Sequence, residues 1–426
     1  MQKQSISFWR RGFLAFLLVP AMLVPAASQA DVVTDWNQIA IKTVLENPPG
    51  SLFSVRNLAI VHLAVHDAVN AVDRRYQPYL VDTKAATGTS PEVAAVAAAH
   101  GVLLALYPSQ KSVLDAALSS SLAKIPDGEG KTLGLALGQQ VAARHIEARK
   151  DDGSDRKVEY VANNDPATWK PTAPAFLPAA NPQFAQVRPF FLRSPLQFDP
   201  GAPLAITSKQ FADEFEEVKR LGAANSKERT PDQTAVAVFW TAPSYVIFSG
   251  VARQVSDAKK FSLHDNARLF ALLNGATADA YIAGWAAKFK YPRARPITLI
   301  REAGKLGVPA LKADPDWEPL LTTPNHPNYI SGHSVFAGAA ERVLQAVFAT
   351  DVIPPASATY PAGAITRRYR KISDITLEND NGRVWGGIHT RETVGQGGAD
   401  LGRKVGEFAA ANHLVSAKPG SLASAN

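Results

Sequence analysis

Residues 263–296 read LHDNARLFALLNGATADAYIAGWAAKFKYPRARP. From Leu263 to Lys288 apolar residues recur at helical spacing, and no proline interrupts before Pro292. Such a run predicts a long helix that Pro292 ends and Pro296 follows. Outward from it, Val55–Arg74, Pro91–Leu106, Lys111–Leu122, Thr132–Arg149, Ser208–Leu221, Pro231–Phe239, His333–Phe348 and Val394–His413 also read as helices. Alternating strand patterns are almost absent. The expected fold is all-α, a large helical bundle with its site between helices. Asp151 to Ile206 is Pro- and Asn-rich and too long for a simple connection, so it is expected to wrap over the helices. A smaller irregular segment runs from Leu306 to Ile330.

The expected organisation is a signal peptide at 1–30, one helical domain at 31–415 with its chemistry in 264–413, and a flexible tail at 416–426. Lys3, Arg10 and Arg11 precede an apolar run from Phe13 to Val24, and Ser28-Gln29-Ala30 is a small-x-small cleavage site before Asp31. Arg10-Arg11 suits a twin-arginine route or the general one. Later stretches fall short of a membrane span, so the mature chain is expected to be exported, periplasmic or secreted, without a stable span.

The 426 residues are 46% hydrophobic and 19% charged, which excludes a largely disordered chain. Zero Cys excludes disulfides, thiolate zinc, iron–sulfur clusters and cysteine nucleophiles. The first thirty residues hold three basic side chains and no acid, which reduces the net charge from +7 to +4. That is too weak for nucleic-acid binding and suits local anion binding. Both Met residues, Met1 and Met22, lie in the leader, so the rest lacks the two most oxidisable side chains. Compositional bias or an enzyme that meets strong oxidants accounts for this.

Three segments carry polar groups suited to an anion. Lys288 and Arg295 flank the helix end at Pro292, where two fixed cations can clamp a tetrahedral oxyanion; a solvated basic helix end is the bland reading. Ser331-Gly332-His333 precedes a helical run, where a hydroxyl, an amide and the helix dipole favour an anion and His333 can exchange a proton. An N-cap Ser beside a structural His reads equally well. Arg383 and His389 flank Gly386-Gly387, with His389 a nucleophile or single metal ligand.

Together, Lys-x6-Arg-Pro, Ser-Gly-His and Arg-x3-Gly-x-His resemble the three-part motif of the phosphatidic acid phosphatase type 2 superfamily. Trp36-Asn37, Arg56 to Asn70, Val187 to Phe190, Arg229 to Trp240 and Ala278 to Trp285 extend the resemblance toward its vanadium-dependent haloperoxidases. The resemblance implies that Lys288, Arg295 and Arg383 neutralise vanadate oxygens and that Ser331 and the Gly332 amide add donors. His389 would bind vanadium axially, and His333 would deprotonate hydrogen peroxide. Halide would be oxidised and a small organic acceptor halogenated. In the phosphatase alternative, His389 forms a phospho-histidine and no vanadate is needed. A non-catalytic oxyanion-binding scaffold is the third reading.

Ile330 stands where Pro usually precedes Ser-Gly-His, and Gly382 where Ser usually precedes Arg. Thr393 stands where an acid usually follows His389 by four; Glu392, one position earlier, or another carboxylate substitutes, or else His389 is poorly fixed. His326, seven before His333, is a candidate for the substrate entrance or second shell, with ordinary packing as the bland reading. Trp240, Tyr245 and Phe248 border the substrate or pack in the core. His62 and His66 read as packed helix interior, not as a metal pair. Nothing fixes an oligomer interface, and an oligomer is compatible with the sequence. Serine-elbow, zincin and phosphate-loop motifs are absent, which excludes those enzyme classes.

Overall fold

The computed structural model describes residues 31–48, 50–361 and 364–417. The signal peptide and most of the tail expected from sequence lie outside these. Helices dominate: α1 (Val32–Glu46), α2 (Ser51–Val72), α3 (Pro91–Leu106), α4 (Lys111–Leu122), α5 (Glu129–Ala148), α6 (Lys209–Leu221), α7 (Pro231–Phe239), α8 (Ser244–Ala258), α9 (Leu263–Lys290), α10 (Pro296–Arg301) and α11 (Gly332–Phe348). A hairpin of β1 (Val352–Tyr360) and β2 (Ile365–Lys371) follows, then α12 (Ile372–Trp385), α13 (Arg391–Val394) and α14 (Asp400–Asn412). The strands are antiparallel, Tyr360 opposite Ile365, with a register shift between Val352 and Ala356.

Local chemistry starts the helices where they start. The Ser262 hydroxyl and the Asp265 carboxylate form a capping box at α9. Thr230 and Gln233 do the same at α7, with Pro231 in the first turn. Asp31 accepts from the Val33 and Thr34 amides at 3.0 Å and opens α1. Helix α9 is buried along nearly its whole length and packs against α2, α11 and α14. The main apolar core lies around it, and a smaller core of Phe211, Phe215, Ile297, Ile300 and Trp317 lies under α6 and α10.

Two buried carboxylates hold the coverings down by their main chain. Asp67 of α2 accepts from the amides of Tyr79, Leu80 and Val81 at 2.7–2.9 Å, and from His145 at 2.8 Å. Asp279 of α9 accepts from Phe190, Phe191 and Leu192 at 2.6–2.8 Å. The stretch from Asp151 to Ile206 holds no α-helix and passes over the helices, as its prolines predict. Arg56 and Arg149 meet Asp152 at 2.7 and 3.2 Å and fix its start.

The pattern reading is corrected in four places. Helix α2 does reach the length and hydropathy of a membrane span, but 94% of that apolar window is buried inside the fold. Helices α8, α10 and α12 are absent from the expected set, and only the resemblance at Trp36-Asn37 reaches α1; α12 buries Asn379, Asp380 and Arg383, which break an apolar stripe. The hairpin escapes because β2 is largely polar and outside the core. The helix expected over Val394–His413 splits, with a wide-turn segment at Gly395–Ala399 between α13 and α14. Gly398 is the reason for the close approach there: a Cβ would sit 2.7 Å from that of Ser334.

His62 and His66 have structural partners. Arg253 donates to Asn37, whose amide donates to His62 Nε2 at 2.9 Å, while His66 meets the Gln77 carbonyl at 3.0 Å. Burial, helped by Arg253, pushes His62 down to about 3. The unfolded chain therefore takes up a proton below its ordinary value of 6.5 while the folded one excludes it. Stability should fall as pH drops from about 6.5 toward 3, by up to ~1.4 kcal/mol per pH unit for this one group. Urea midpoints measured from pH 7 to pH 5 should decline less in His62→Gln than in the parent; equal slopes would refute the assignment.

Candidate active site

The last turn of α9 brings Lys288 to the centre of the site. Tyr281, Trp285 and Lys288 stand at i, i+4 and i+7 and share one helix face. Lys288 is fully buried, and its ammonium donates to the Pro327 carbonyl at 2.7 Å. Pro292 and Pro296 then turn the chain so that Arg295 precedes α10. Arg295, also fully buried, donates to the carbonyls of His326 and Ile388 at 2.8 Å and to His389 Nε2 at 3.1 Å.

Ser331 caps α11: its hydroxyl oxygen accepts from the Ser334 amide at 3.3 Å. That leaves its O–H free to donate, beside the Gly332 amide at the positive end of a 17-residue helix. A Cβ on Gly332 would lie 3.1 Å from the Trp285 ring, so glycine permits this approach. His333 Nε2 meets the Ala242 carbonyl at 3.2 Å and must be its donor. Nδ1 of His333 then keeps its lone pair.

Helix α12 delivers Arg383, which donates to the Trp240 carbonyl at 2.5 Å while its Nε has no partner. Gly382 is in place of a larger residue because a Cβ there would be 3.2 Å from that of Trp240. Gly387, at φ 76°, turns the chain toward His389; a Cβ would strike the Gly222 carbonyl oxygen at 2.4 Å. His389 Nδ1 lies 3.1 Å from the Thr393 hydroxyl.

Gly332, His333, Arg383 and His389 line one cavity of about 310 Å³ with His326, Tyr281 and Trp285. Lys288, Arg295 and Ser331 lie buried behind it. No acid lines the cavity, and no ion pair among the described residues involves Lys288, Arg295 or Arg383. Burial, with Arg295 beside it, drives Lys288 well below its ordinary value. Burial lowers Arg295 to about 9, with Arg383 adding to the effect, and Arg383 itself to about 10. Burial and the surrounding cations likewise hold His326, His333 and His389 well below 6.5, so the imidazoles are neutral. The buried Asn328 amide, next to Lys288, also has no partner.

Clustered cations, an unpartnered guanidinium N–H and neutral imidazole lone pairs suit an oxyanion with several oxygens. Vanadate and phosphate both fit that donor set. No group of three His, Asp or Glu among the described residues could hold a bare metal ion.

The structure brings together His333, His389, Lys288, Arg295, Ser331, Gly332 and Arg383. His326 packs against Trp285, rings tilted by 48° with centres 4.9 Å apart, and accepts from Arg295 at 3.0 Å. Glu392 does not support His389: its carboxylate accepts from the Leu204 amide at 2.6 Å, and burial raises it to about 7. Turned toward Leu204, it leaves the contact with His389 to Thr393, the reverse of the expected substitution. Trp240, Tyr245 and Phe248 pack in the core. Pattern reading missed Tyr281, which its spacing from Lys288 signals. It also missed Gly50–Leu52 and Ala180–Asn181, which line the cavity with no motif of their own.

Residues 268–417 match the family model described as the VCPO second helical-bundle domain. The chain is 24% identical to a vanadium chloroperoxidase of Curvularia inaequalis over 423 residues, covering 77% of this chain and 67% of that protein. A crystal structure of a bacterial vanadium-dependent iodoperoxidase superposes with a TM-score of 0.78 at 25% identity, covering 91% of this chain and 98% of that one. An apo bacterial vanadium-dependent chloroperoxidase shares the fold, with a TM-score of 0.70 at 19% identity over 85% of this chain and 93% of that one.

Proposed function

We propose that this chain, a relative of the vanadium-dependent haloperoxidases, is an exported enzyme that uses vanadate and hydrogen peroxide to oxidise halide and halogenate small organic acceptors. The observation that carries the reading is the buried trio Lys288, Arg295 and Arg383 around His389, uncompensated by any carboxylate among the described residues. Export rests on the basic, apolar and small-x-small order of residues 1–30.

When bound, vanadate supplies Lewis-acid activation of peroxide without a change of oxidation state. Lys288, Arg295 and Arg383 hold the anion's oxygens, and the Ser331 hydroxyl and Gly332 amide add donors. His389 would hold it through Nε2, whose lone pair faces Arg295. His333, neutral and with its Nδ1 lone pair unengaged by Ala242, takes the proton from incoming peroxide. Buried away from bulk water, the cations attract the anion more strongly than exposed ones would. The lack of Met and Cys beyond residue 30 agrees with an oxidising product.

A paired assay on protein starting at Asp31 tests this. One arm supplies orthovanadate, peroxide and bromide or iodide with a phenolic dye; the other supplies an aryl phosphate with and without vanadate. Halogenation that requires vanadate is the expected result. Phosphate hydrolysis inhibited by vanadate, with no halogenation, would instead place the same residues in a phosphatase.

A further inference from the structure

Thr393 is the last residue of the set around His389 that has only been located, and its hydrogen bonds are directional. Its hydroxyl lies 2.8 Å from the Thr390 carbonyl and 3.1 Å from His389 Nδ1. A carbonyl only accepts, so the single O–H is spent on Thr390. The same oxygen can then only accept from His389, which makes Nδ1 carry the hydrogen. On the opposite edge of the ring, Arg295 Nη1 donates to Nε2 at 3.1 Å, which needs a lone pair there. Two separate bonds thus demand one tautomer. Thr393 is fully buried, and its own carbonyl accepts the Ser331 amide at 2.8 Å. One residue therefore ties the imidazole to the helix start that presents Ser331 and Gly332.

We infer that Thr393 is a positioning residue: through the chain His389 Nδ1–H to Thr393 Oγ1–H to Thr390 carbonyl, it fixes the tautomer and ring direction that present Nε2 to the oxyanion. This rests on the proposed reading only in identifying that anion as vanadate. Glu392, one position away, takes no part: one carboxylate oxygen accepts the Leu204 amide and the other meets no donor.

The test compares Thr393→Val, which keeps the shape and deletes the hydroxyl, with Thr393→Ser, which keeps the hydroxyl. Histidine ¹⁵N spectra of the unliganded protein, with His389 assigned by its loss in His389→Gln, should show the Nδ1–H form in the parent and in Thr393→Ser. Thr393→Val should show a mixture. Its orthovanadate dissociation constant, read by calorimetry, should rise roughly 10–100-fold, the usual scale for removing the partner of a ligand histidine, while Thr393→Ser stays close to the parent. Parent protein with a hydrogen on Nε2 and none on Nδ1 would overturn the inference without any variant. So would Thr393→Val with an unchanged tautomer and an affinity within about twofold. Parent protein that binds inorganic phosphate but not vanadate would sink the haloperoxidase reading alone, because the tautomer readout still stands or falls by itself.

Discussion

His389→Ala is expected to lower vanadate-dependent halogenation by more than ~10³-fold, at or beyond the upper range seen when one preorganised group at a reacting centre is deleted. The imidazole Nε2 faces Arg295 Nη1 at 3.1 Å, and among the described residues no group of three His, Asp or Glu gathers that could hold a metal in its place. His326 accepts from a different nitrogen of Arg295 and packs against Trp285, so it is held away from that role. The cations remain in the variant, and inorganic phosphate binding should weaken far less than turnover. Initial rates at saturating peroxide, with phosphate affinity measured alongside, separate the two effects. Unchanged turnover would move the active site elsewhere in the molecule.

Asp279→Ala is expected to cost at least ~3 kcal/mol of stability, a large share of the ~5–15 kcal/mol that folded proteins have. The carboxylate is completely buried and accepts three amides, from Phe190, Phe191 and Leu192. Truncation strands all three donors in the interior, each at roughly 1–3 kcal/mol. Burial raises the group to about 6 even though those amides favour its charge, which shows how little solvent reaches it. Urea unfolding at pH 7.5, where the acid is ionised, gives the loss directly. A change under ~1 kcal/mol would mean that water replaces the carboxylate and that the covering is held by other contacts.

Much of the fold was legible from apolar, helix-forming runs and the signals that start them, even where a helix such as α3 is buried on all sides. The bounds of α3, α4 and α7 follow from Pro91, Lys111 and Pro231 with the apolar residues behind them. Helix α12 was not legible, because a helix that delivers Arg383 into a site must bury polar groups and so loses its stripe. The site was legible at its motif residues, whose side chains carry the charge and the imidazoles. Its other wall was not: Gly50–Leu52 and Ala180–Asn181 reach the cavity by the path of the chain, which no residue type announces. The Glu392 expectation failed for a related reason. Sequence proximity placed a carboxylate near His389, but on the short helix α13 adjacent side chains diverge by about 100°, so position 393 faces the ring while the side chain at 392 meets the Leu204 amide.

The grip of Asp67 and Asp279 on main-chain amides has an evolutionary consequence. A carboxylate that recognises N–H groups is indifferent to which side chains those residues carry, so the two anchors demand only that the chain pass by with its amides turned inward. Proline is the one residue barred at Tyr79, Leu80, Val81, Phe190, Phe191 and Leu192 on this account. Outward-facing positions of these coverings can therefore drift, or be redesigned, and exchange the surface that a passing molecule meets, while the helices underneath keep their register and the chemistry they enclose.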